Sequence, residues 1–318
     1  MTASREGVRR VPLSAILGFL LLCALLIFAR DVIPWMQKGL LLCGKTIIPT
    51  LFPCMVACDM LFSGVNTPPR ARRSGASLWR FLFKIPSIGM LAFLLGALCG
   101  FPIGTKIVAE LHHGRALNRE ECENLLCFSN NTGPAFAVAG VGISLFGSIR
   151  VGILLYVIQL IAALFCGIVF SLIPHESSNE VANDKTASQR TSGFAEAVQR
   201  SVGGILNVCG FIMIFSAICG VFSSFVKNPI LLGFIYSFLE VGGACGAAAS
   251  LFFDHPIIAI LCATLAINFG GLSVHLQSRS LLVGVSYSFS RYLAAKLTQA
   301  AVAVLLSLLC MPLFGIWG

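Results

Sequence analysis

The sequence predicts an all-α polytopic membrane protein of about eight to nine transmembrane helices, with an inverted repeat and broken or re-entrant helices. Of the 318 residues, 57% are hydrophobic and only 11% are charged, whereas soluble globular domains contain about 25% charged residues. Apolar runs close to the roughly 20 residues that cross a bilayer recur along the chain, and polar residues interrupt several of them. The candidate spans are 11–29, 39–63, 86–109, 124–146, 150–173, 203–226, 230–253, 256–278 and the long stretch 281–316.

The basic residues indicate the orientation of the chain and not a nucleic-acid partner. The formal net charge is +9, and cytoplasmic loops of membrane proteins collect Lys and Arg. Segment 64–85 holds five basic residues and no acid, whereas 110–123 holds four glutamates against two arginines. Nine crossings from a cytoplasmic N-terminus place 64–85 and Arg279 inside, and 110–123 and 174–200 outside. The first apolar run lacks a signal-peptide cleavage site and is interpreted as an uncleaved span.

The hydrophilic segment 174–193 predicts a linker between two membrane repeats. Two segments support the repeat, because LGALCGFPIGTK (95–106) and LAINFGGLSVHL (265–276) align with Gly100 on Gly270. They run in opposite directions in the nine-span topology, which is the pattern of an inverted repeat. The predicted divisions are an N-terminal arm with the first transmembrane helix (1–34), a first membrane repeat with gate-like broken helices (35–173), the linker, and a second membrane repeat (194–318).

The stretch CFSNNTGPAF (127–136) places polar residues and a proline inside a predicted span. In hydrocarbon, irregular backbone is tolerated only where it is buried in protein or lines a cavity. The predicted substrate-binding residues here are Ser129, Asn130, Asn131, Thr132, Gly133 and Pro134. We expect the two asparagines to donate hydrogen bonds to carboxylate oxygens, and the half-helix that starts near Pro134 to favour an anion. A packing kink is the alternative.

Two further polar breaks complete the predicted site. GFPIGTK contributes Gly100, Pro102, Gly104, Thr105 and Lys106, and NFGGLSVHLQ contributes Asn268, Gly270, Gly271, Ser273, His275 and Gln277. Lys106 would supply positive potential, or its side chain would extend to the interface. The glycines around position 100 would also allow close helix contact, and His275 would act as a proton relay or as a polar helix contact. The three breaks together predict one hydrated site for a small organic anion.

Glu240 lies near the middle of the apolar run 230–253, with no other acid nearby in the sequence. An intramembrane carboxylate is costly and indicates a functional site. Two roles are predicted for it. Glu240 binds a coupling cation or a proton, or it forms an ion pair with Lys106 or Lys45.

Four motifs together, GFPIGTKIVAEL, LLCFSNNTGPAF, LEVGG and NFGGLSVHLQ, resemble the sporulation integral membrane protein YlbJ family over residues 35–312. That family shares a nucleoside-recognition "gate" domain with spore maturation proteins, concentrative nucleoside transporters and the ferrous iron transporter FeoB. The resemblance implies transport of dipicolinate across a forespore membrane during sporulation and a role in spore cortex or core maturation. Dipicolinate is implied by the resemblance alone, although Asn amides, helix N-termini and Lys106 are compatible with a dianion.

Other functions stay open at this point. A gate-domain transporter could carry a nucleoside or a divalent metal ion, and Cys99 in CGFP favours the metal. A membrane scaffold for spore cortex assembly is a further alternative. The sequence contains no GxSxG, HExxH or P-loop motif, so neither an enzyme nor a cofactor is predicted. The expected partners are the lipid bilayer and a small anionic solute, with the oligomeric state left open.

Overall fold

The computed structural model describes residues 12–62, 78–175 and 193–314 of the chain, and every regular element in these ranges is a helix. The α-helices are α1 Leu13–Ile27, α2 Ala29–Leu42, α3 Ile48–Phe62, α4 Leu78–Phe83, α5 Met90–Cys99, α6 Ile103–His113, α7 Arg119–Ser129, α8 Ile149–Leu172, α9 Phe194–Phe225, α10 Pro229–Leu239, α11 Val241–Ser250, α12 Pro256–Phe269, α13 Gly271–Leu281 and α14 Phe289–Cys310. Two π-helices, Cys43–Ile47 and Ala135–Leu145, join the series, with short 3₁₀ turns at Ser87–Gly89 and Met311–Phe314.

Among the described residues, five helical segments are long and apolar enough to cross a membrane. They are Ala29–Phe62, α8, α9, the broken segment Pro256–Leu281 and α14. Shorter apolar helices accompany them at Leu13–Ile27, Ser87–Cys99, Ala135–Leu145 and Pro229–Leu239. The prediction of an all-α polytopic membrane protein is therefore confirmed.

Segment 86–109, which the sequence analysis counted as a span, folds back on itself. The chain leaves α5 at Gly100, whose φ of 90° is readily adopted only by glycine, and re-enters a helix at Ile103. A side-chain carbon at Gly96 would lie only 2.9 Å from the Cα atom of Gly104. Because residues eight positions apart in one continuous helix lie about 12 Å apart, α5 and α6 form a hairpin, here called hairpin 1.

Segment 230–253, in the second half of the chain, also folds back on itself. Helices α10 and α11 pack against each other on either side of Glu240. A side-chain carbon at Gly233, near the start of α10, would lie 3.8 Å from Leu251, just beyond the end of α11. We call α10 and α11 hairpin 2. Both segments are apolar enough to have been counted as spans, and hairpins 1 and 2 are the re-entrant helices that the sequence predicted.

The two halves of the chain repeat one order of elements. A long helix (Ala29–Phe62 or α9) is followed by a hairpin, then by a helix broken at mid-length, then by a second long helix (α8 or α14). The broken helices are α7 with the π-helix Ala135–Leu145, and α12 with α13. A unit with three crossings and one hairpin begins and ends on opposite sides of the bilayer, so the second unit is inverted relative to the first.

The long first helices of the two units pack against each other in antiparallel orientation. A side-chain carbon at Gly220 of α9 would lie 2.8 Å from the Cα atom of Val32, near the beginning of the first long helix. Near its other end, Ser201 donates a hydrogen bond to Asp59 over 3.0 Å. Glycine at position 220 allows this close approach, because any side chain there would overlap the neighbouring backbone.

The hairpins also correct the predicted topology. The Ser288 amide donates to Glu123 over 3.1 Å, and Arg291 donates to the Pro174 carbonyl over 3.2 Å. The start of α14 therefore lies at the same end of the helix bundle as the start of α7 and the end of α8. The nine-span topology put these ends on opposite sides of the membrane, and it is wrong there because neither hairpin crosses.

The same end of the bundle includes the residues that flank the two long polar segments. Ser171 donates to the Leu82 carbonyl over 2.8 Å, and Ser201 meets Asp59. The N-terminal arm 1–10, residues 63–77 and residues 176–192 lie outside the described residues. The cytoplasmic N-terminus and the domain boundaries drawn through these segments stay predictions.

Candidate functional site

In the first half, the tip of hairpin 1 lies directly against the break in the following helix. A side-chain carbon at Gly133 would lie 2.9 Å from the Leu98 carbonyl oxygen and 3.0 Å from the Gly100 amide nitrogen. Such distances are shorter than real side-chain carbons adopt, so only glycine fits. The Phe101–Pro102 peptide bond at this tip is cis.

In the second half, the tip of hairpin 2 meets the break between α12 and α13 in the same way. A side-chain carbon at Gly271 would lie 2.9 Å from the Leu239 carbonyl oxygen and 3.1 Å from the Glu240 amide nitrogen. Gly271 and Gly270 have φ values of 66° and 91°. By position in the fold, Glu240 therefore corresponds to Gly100 and Gly271 to Gly133. The sequence alignment of Gly100 on Gly270 paired a hairpin tip with a helix break and is corrected.

Glu240 caps the second hairpin tip instead of pairing with a lysine. Its two carboxylate oxygens accept hydrogen bonds from the amides of Gly242 (2.9 Å) and Gly243 (2.5 Å), which lie in the first turn of α11. A carboxylate is favoured at such a position by the free amides and the helix dipole. The predicted ion pair with Lys106 or Lys45 is wrong. Lys106 pairs with Asp59 over 2.6 Å, and Lys45 is exposed.

A small cavity of about 50 Å³ lies where the hairpin tips and the helix breaks converge. This volume accommodates a few water molecules. All three predicted breaks and Glu240 contribute to its walls. The predicted site residues that line it are Gly100, Thr132, Gly133, Glu240, Ser273 and Gln277.

A larger cavity of about 540 Å³ lies on the other side of the second hairpin tip. Five residues line both cavities and so form the wall between them: Leu42, Thr46, Phe136, Glu240 and Gly242. Lys38 also lines the larger cavity, and its ammonium group lies 4.8 Å from the centre of the Trp35 ring. Glu240 and Lys38 thus bring one negative and one positive side chain to a mostly apolar chamber.

The break in the first half is stabilised by a glutamine from α8. Gln159 accepts hydrogen bonds from the Thr132 amide (3.2 Å) and hydroxyl (2.6 Å), and it donates to the Thr132 carbonyl over 3.0 Å. Both residues are buried. A single side chain therefore satisfies the polar groups of the non-helical residue, which the hydrocarbon environment requires.

The two asparagines of this break make hydrogen bonds within the protein. Asn130 donates to Ser278 (2.9 Å) and Tyr292 (3.3 Å). Asn131 donates to the Phe128 carbonyl over 2.6 Å. Neither asparagine lines either of the two cavities, so the expectation that they face a bound solute is not supported, and their effect on binding stays a prediction.

The remaining predicted residues surround the cavities without lining them. Ser129 is packed through its carbonyl group against Gly104, where no side chain would fit, as expected for close helix contact. Thr105 meets the Ser278 hydroxyl at 3.5 Å, and Asn268 donates to the Thr264 carbonyl over 2.9 Å. Pro134 precedes the first residue of the π-helix Ala135–Leu145.

Several buried polar atoms near the site have no hydrogen-bond partner among the described residues. His275 meets the Tyr292 hydroxyl through Nδ1 over 3.0 Å, but its Nε2 is without a partner. Gln277 lines the smaller cavity with an unpartnered Nε2. Ser129 Oγ and Asn130 Oδ1 also lack a hydrogen-bond partner among these residues. Unsatisfied buried groups are uncommon in native proteins and often mark functional or hydrated positions.

Sequence reasoning missed four polar residues that the fold brings to the breaks or to Lys106: Asp59, Gln159, Lys296 and Gln299. All are buried inside long apolar runs. Their presence in predicted spans was the available signal, because polar residues at membrane depth are costly. Among the described residues, no group of three or more His, Cys, Asp or Glu side chains could hold a metal ion.

Comparison with known proteins places this geometry in a biological context. No family model matches the sequence, and no solved structure matches it. The chain is 24% identical over 326 residues to the sporulation integral membrane protein YlbJ of Bacillus subtilis (strain 168), with 88% of this chain and 78% of that relative covered. The comparison thus confirms that the chain resembles the YlbJ-type sporulation integral membrane proteins along nearly its whole length.

Proposed function

We propose that this chain is a transporter that moves a small organic anion, dipicolinate, across a forespore membrane during sporulation. The observation that carries the proposal is the convergence of both hairpin tips and both helix breaks on one cavity, with Glu240 in its wall. In secondary transporters with inverted repeats, substrate sites lie at such breaks near the bilayer midplane. The B. subtilis relative supports the sporulation context, and the transported solute is our proposal.

The two cavities divide the proposed path into a chamber and a closed centre. At about 540 Å³, the larger cavity falls within the usual 300–1,000 Å³ of small-molecule sites, and it can admit an aromatic dicarboxylate. The smaller cavity, at about 50 Å³, cannot. Passage therefore requires the wall that contains Glu240 and Phe136 to move, and hairpin 2 is the element that carries Glu240.

The charges along this path suggest how an anion is handled. Lys38 brings a positive charge to the larger cavity. Glu240 brings a negative charge to both, and a neighbouring anion favours protonation of a carboxylate. We therefore propose that the anion passes Glu240 when this residue is protonated, so that anion and proton move together. Lys106, the cation expected from the sequence, is paired with Asp59 and lines neither cavity.

The proposal is tested with purified protein in liposomes, where uptake of dipicolinate, a nucleoside and Fe²⁺ is measured side by side. We expect uptake of dipicolinate alone, increased by an inwardly directed proton gradient. Uptake of the nucleoside or of Fe²⁺ with dipicolinate ignored would establish the corresponding alternative. Uptake of none of the three would favour a scaffold for spore cortex assembly. We propose no catalytic activity for the chain.

A further inference from the structure

The end of α7 leaves backbone carbonyl groups without intrahelical partners in the middle of an apolar segment. The helix stops at Ser129, and Asn130 adopts an extended conformation with ψ of 94°. The last carbonyl groups of a helix lack intrahelical partners and carry the negative end of its dipole. In broken-helix transporters, such carbonyl groups and helix C-termini are the places where coupling cations bind.

In this chain the positive charge at the end of α7 belongs to the side chain of Lys296. Lys296 of α14 is only 2% exposed. Its ammonium group donates to the Asn130 carbonyl over 2.5 Å and to Gln299 Oε1 over 2.8 Å. Among the described residues, no carboxylate lies within ion-pair distance of it, whereas Lys106 has Asp59 at 2.6 Å.

The surrounding amides are arranged to present oxygen atoms to this ammonium group. Gln299 donates through Nε2 to Asn131 Oδ1 (3.0 Å) and Asn268 Oδ1 (3.3 Å). Because its amide nitrogen is used in this way, its oxygen faces Lys296. The ammonium group therefore lies against a freed backbone carbonyl and an amide oxygen, the ligand types that bind hard cations in proteins.

We propose that Lys296 is a tethered substitute for a free cation, and that its ammonium group fills a latent binding site for a monovalent cation at the break after α7. The natural protein then needs no sodium or potassium ion at this position. Shortening the side chain should open the site to a soluble cation. The inference concerns binding and stability, and it does not depend on which solute is transported.

The test compares Lys296→Ala with Lys296→Met and with the unmodified protein in detergent. Thermal unfolding is measured in sodium, potassium, methylammonium and choline chloride at one ionic strength. We expect sodium or methylammonium to raise the midpoint of Lys296→Ala by about 3 °C or more relative to choline. Lys296→Met, whose side chain fills the space, and the unmodified protein should each change by less than about 1 °C.

Recovery of Lys296→Ala only from membranes extracted in sodium or methylammonium would count as the same rescue. A folded Lys296→Ala protein that is indifferent to the cation would overturn the proposal. Failure to recover it in every salt would do the same, because a soluble cation should then restore the site. Specific stabilisation of the unmodified protein by sodium would also overturn it, since the site is expected to be filled. Thr298→Ala, at a half-buried position on the same helix, controls for general effects of substitution in α14.

Discussion

The two halves of the chain share one order of helices but differ in the polar chemistry at their centres. In the first half, hairpin 1 ends in Gly100 and offers only backbone, and the broken helix is held by Gln159 and Lys296. In the second half, the break is a glycine pair, and hairpin 2 carries the carboxylate of Glu240. The repeat thus supplies the architecture twice, with a cation fixed at one centre and an acid lining the cavities at the other.

This difference suggests that the two centres have different roles, one in stability and the other in transport. Lys296 and its partners are buried and line neither cavity, so they stabilise the first break. Glu240 lines both cavities, and among the described residues its carboxylate accepts hydrogen bonds only from the amides of its own hairpin. We therefore expect substitutions in the first centre to affect stability, and those at the second hairpin tip to affect transport.

The largest expected effect comes from the glycines at the two contacts. Gly271→Ala should destabilise the protein by about 2–5 kcal/mol, because the new carbon would clash with Leu239 and the residue has φ of 66°. Gly133→Ala has the clash without the positive φ and should cost about 1–3 kcal/mol. Thermal unfolding in detergent measures both. Gly246→Ala, with no atom within 4 Å of the new carbon, is the matched control, and equal midpoints for all three would refute the proposed tight contacts.

Glu240→Gln tests the acidic centre. If the carboxylate carries a proton with the anion, proton-driven dipicolinate uptake should fall about tenfold or more, equivalent to about 1.4 kcal/mol. Abundance in the membrane should persist, because the amide oxygen can still cap α11. Asp254→Asn removes an exposed acid and should leave uptake unchanged. Normal uptake by Glu240→Gln would show that this carboxylate has no role in coupling.

Gln159→Ala tests the centre in the first half. It removes the partner of three polar atoms of Thr132, and unsatisfied buried groups cost about 1–3 kcal/mol each. We expect a loss of stability of about 2–4 kcal/mol in thermal unfolding. In preparations kept below the unfolding transition, dipicolinate affinity should change less than about twofold. Val157→Ala, on the exposed face of α8, is the control. A large loss of affinity without loss of stability would show that Gln159 acts in solute binding and not in stability.

Asn130→Ala/Asn131→Ala distinguishes solute contacts from internal ones. If the amides donated to a carboxylate, losing both would weaken dipicolinate binding by about tenfold or more. The structure instead commits them to Ser278, Tyr292 and the Phe128 carbonyl. We therefore expect a lower unfolding midpoint with affinity within about threefold of the unmodified protein. Direct binding measured by calorimetry separates the two outcomes.

The smallest effects on stability and uptake are expected from two cysteine substitutions that test the topology. The residues that flank the two polar segments lie at one end of the bundle. Cysteine substitutions at Ser74 and Ser188 should therefore react with a membrane-impermeant maleimide from the same side. Reaction from opposite sides would show that hairpin 1 crosses the bilayer, and it would restore part of the nine-span topology.

The sequence was sufficient to predict the membrane class, the three polar breaks and the exceptional position of Glu240. It could not distinguish hairpins from spans, because the segments around Gly100 and Glu240 are as long and apolar as true crossings. The partner of Lys106 was also inaccessible, since Asp59 comes from a different helix. Lys296 was overlooked inside the last apolar run, and only tertiary packing reveals that it meets the end of α7.

The tight contacts between hairpin tips and helix breaks have a consequence for how such a protein can change. At Gly133 and Gly271 the neighbouring atoms belong to the backbone, so the fit does not depend on which side chains line the adjacent chamber. Residues such as Ser273 and Gln277 can then be exchanged without rebuilding the framework. A duplicated membrane scaffold of this kind can acquire a new solute through a few wall substitutions, provided that its two glycine contacts are retained.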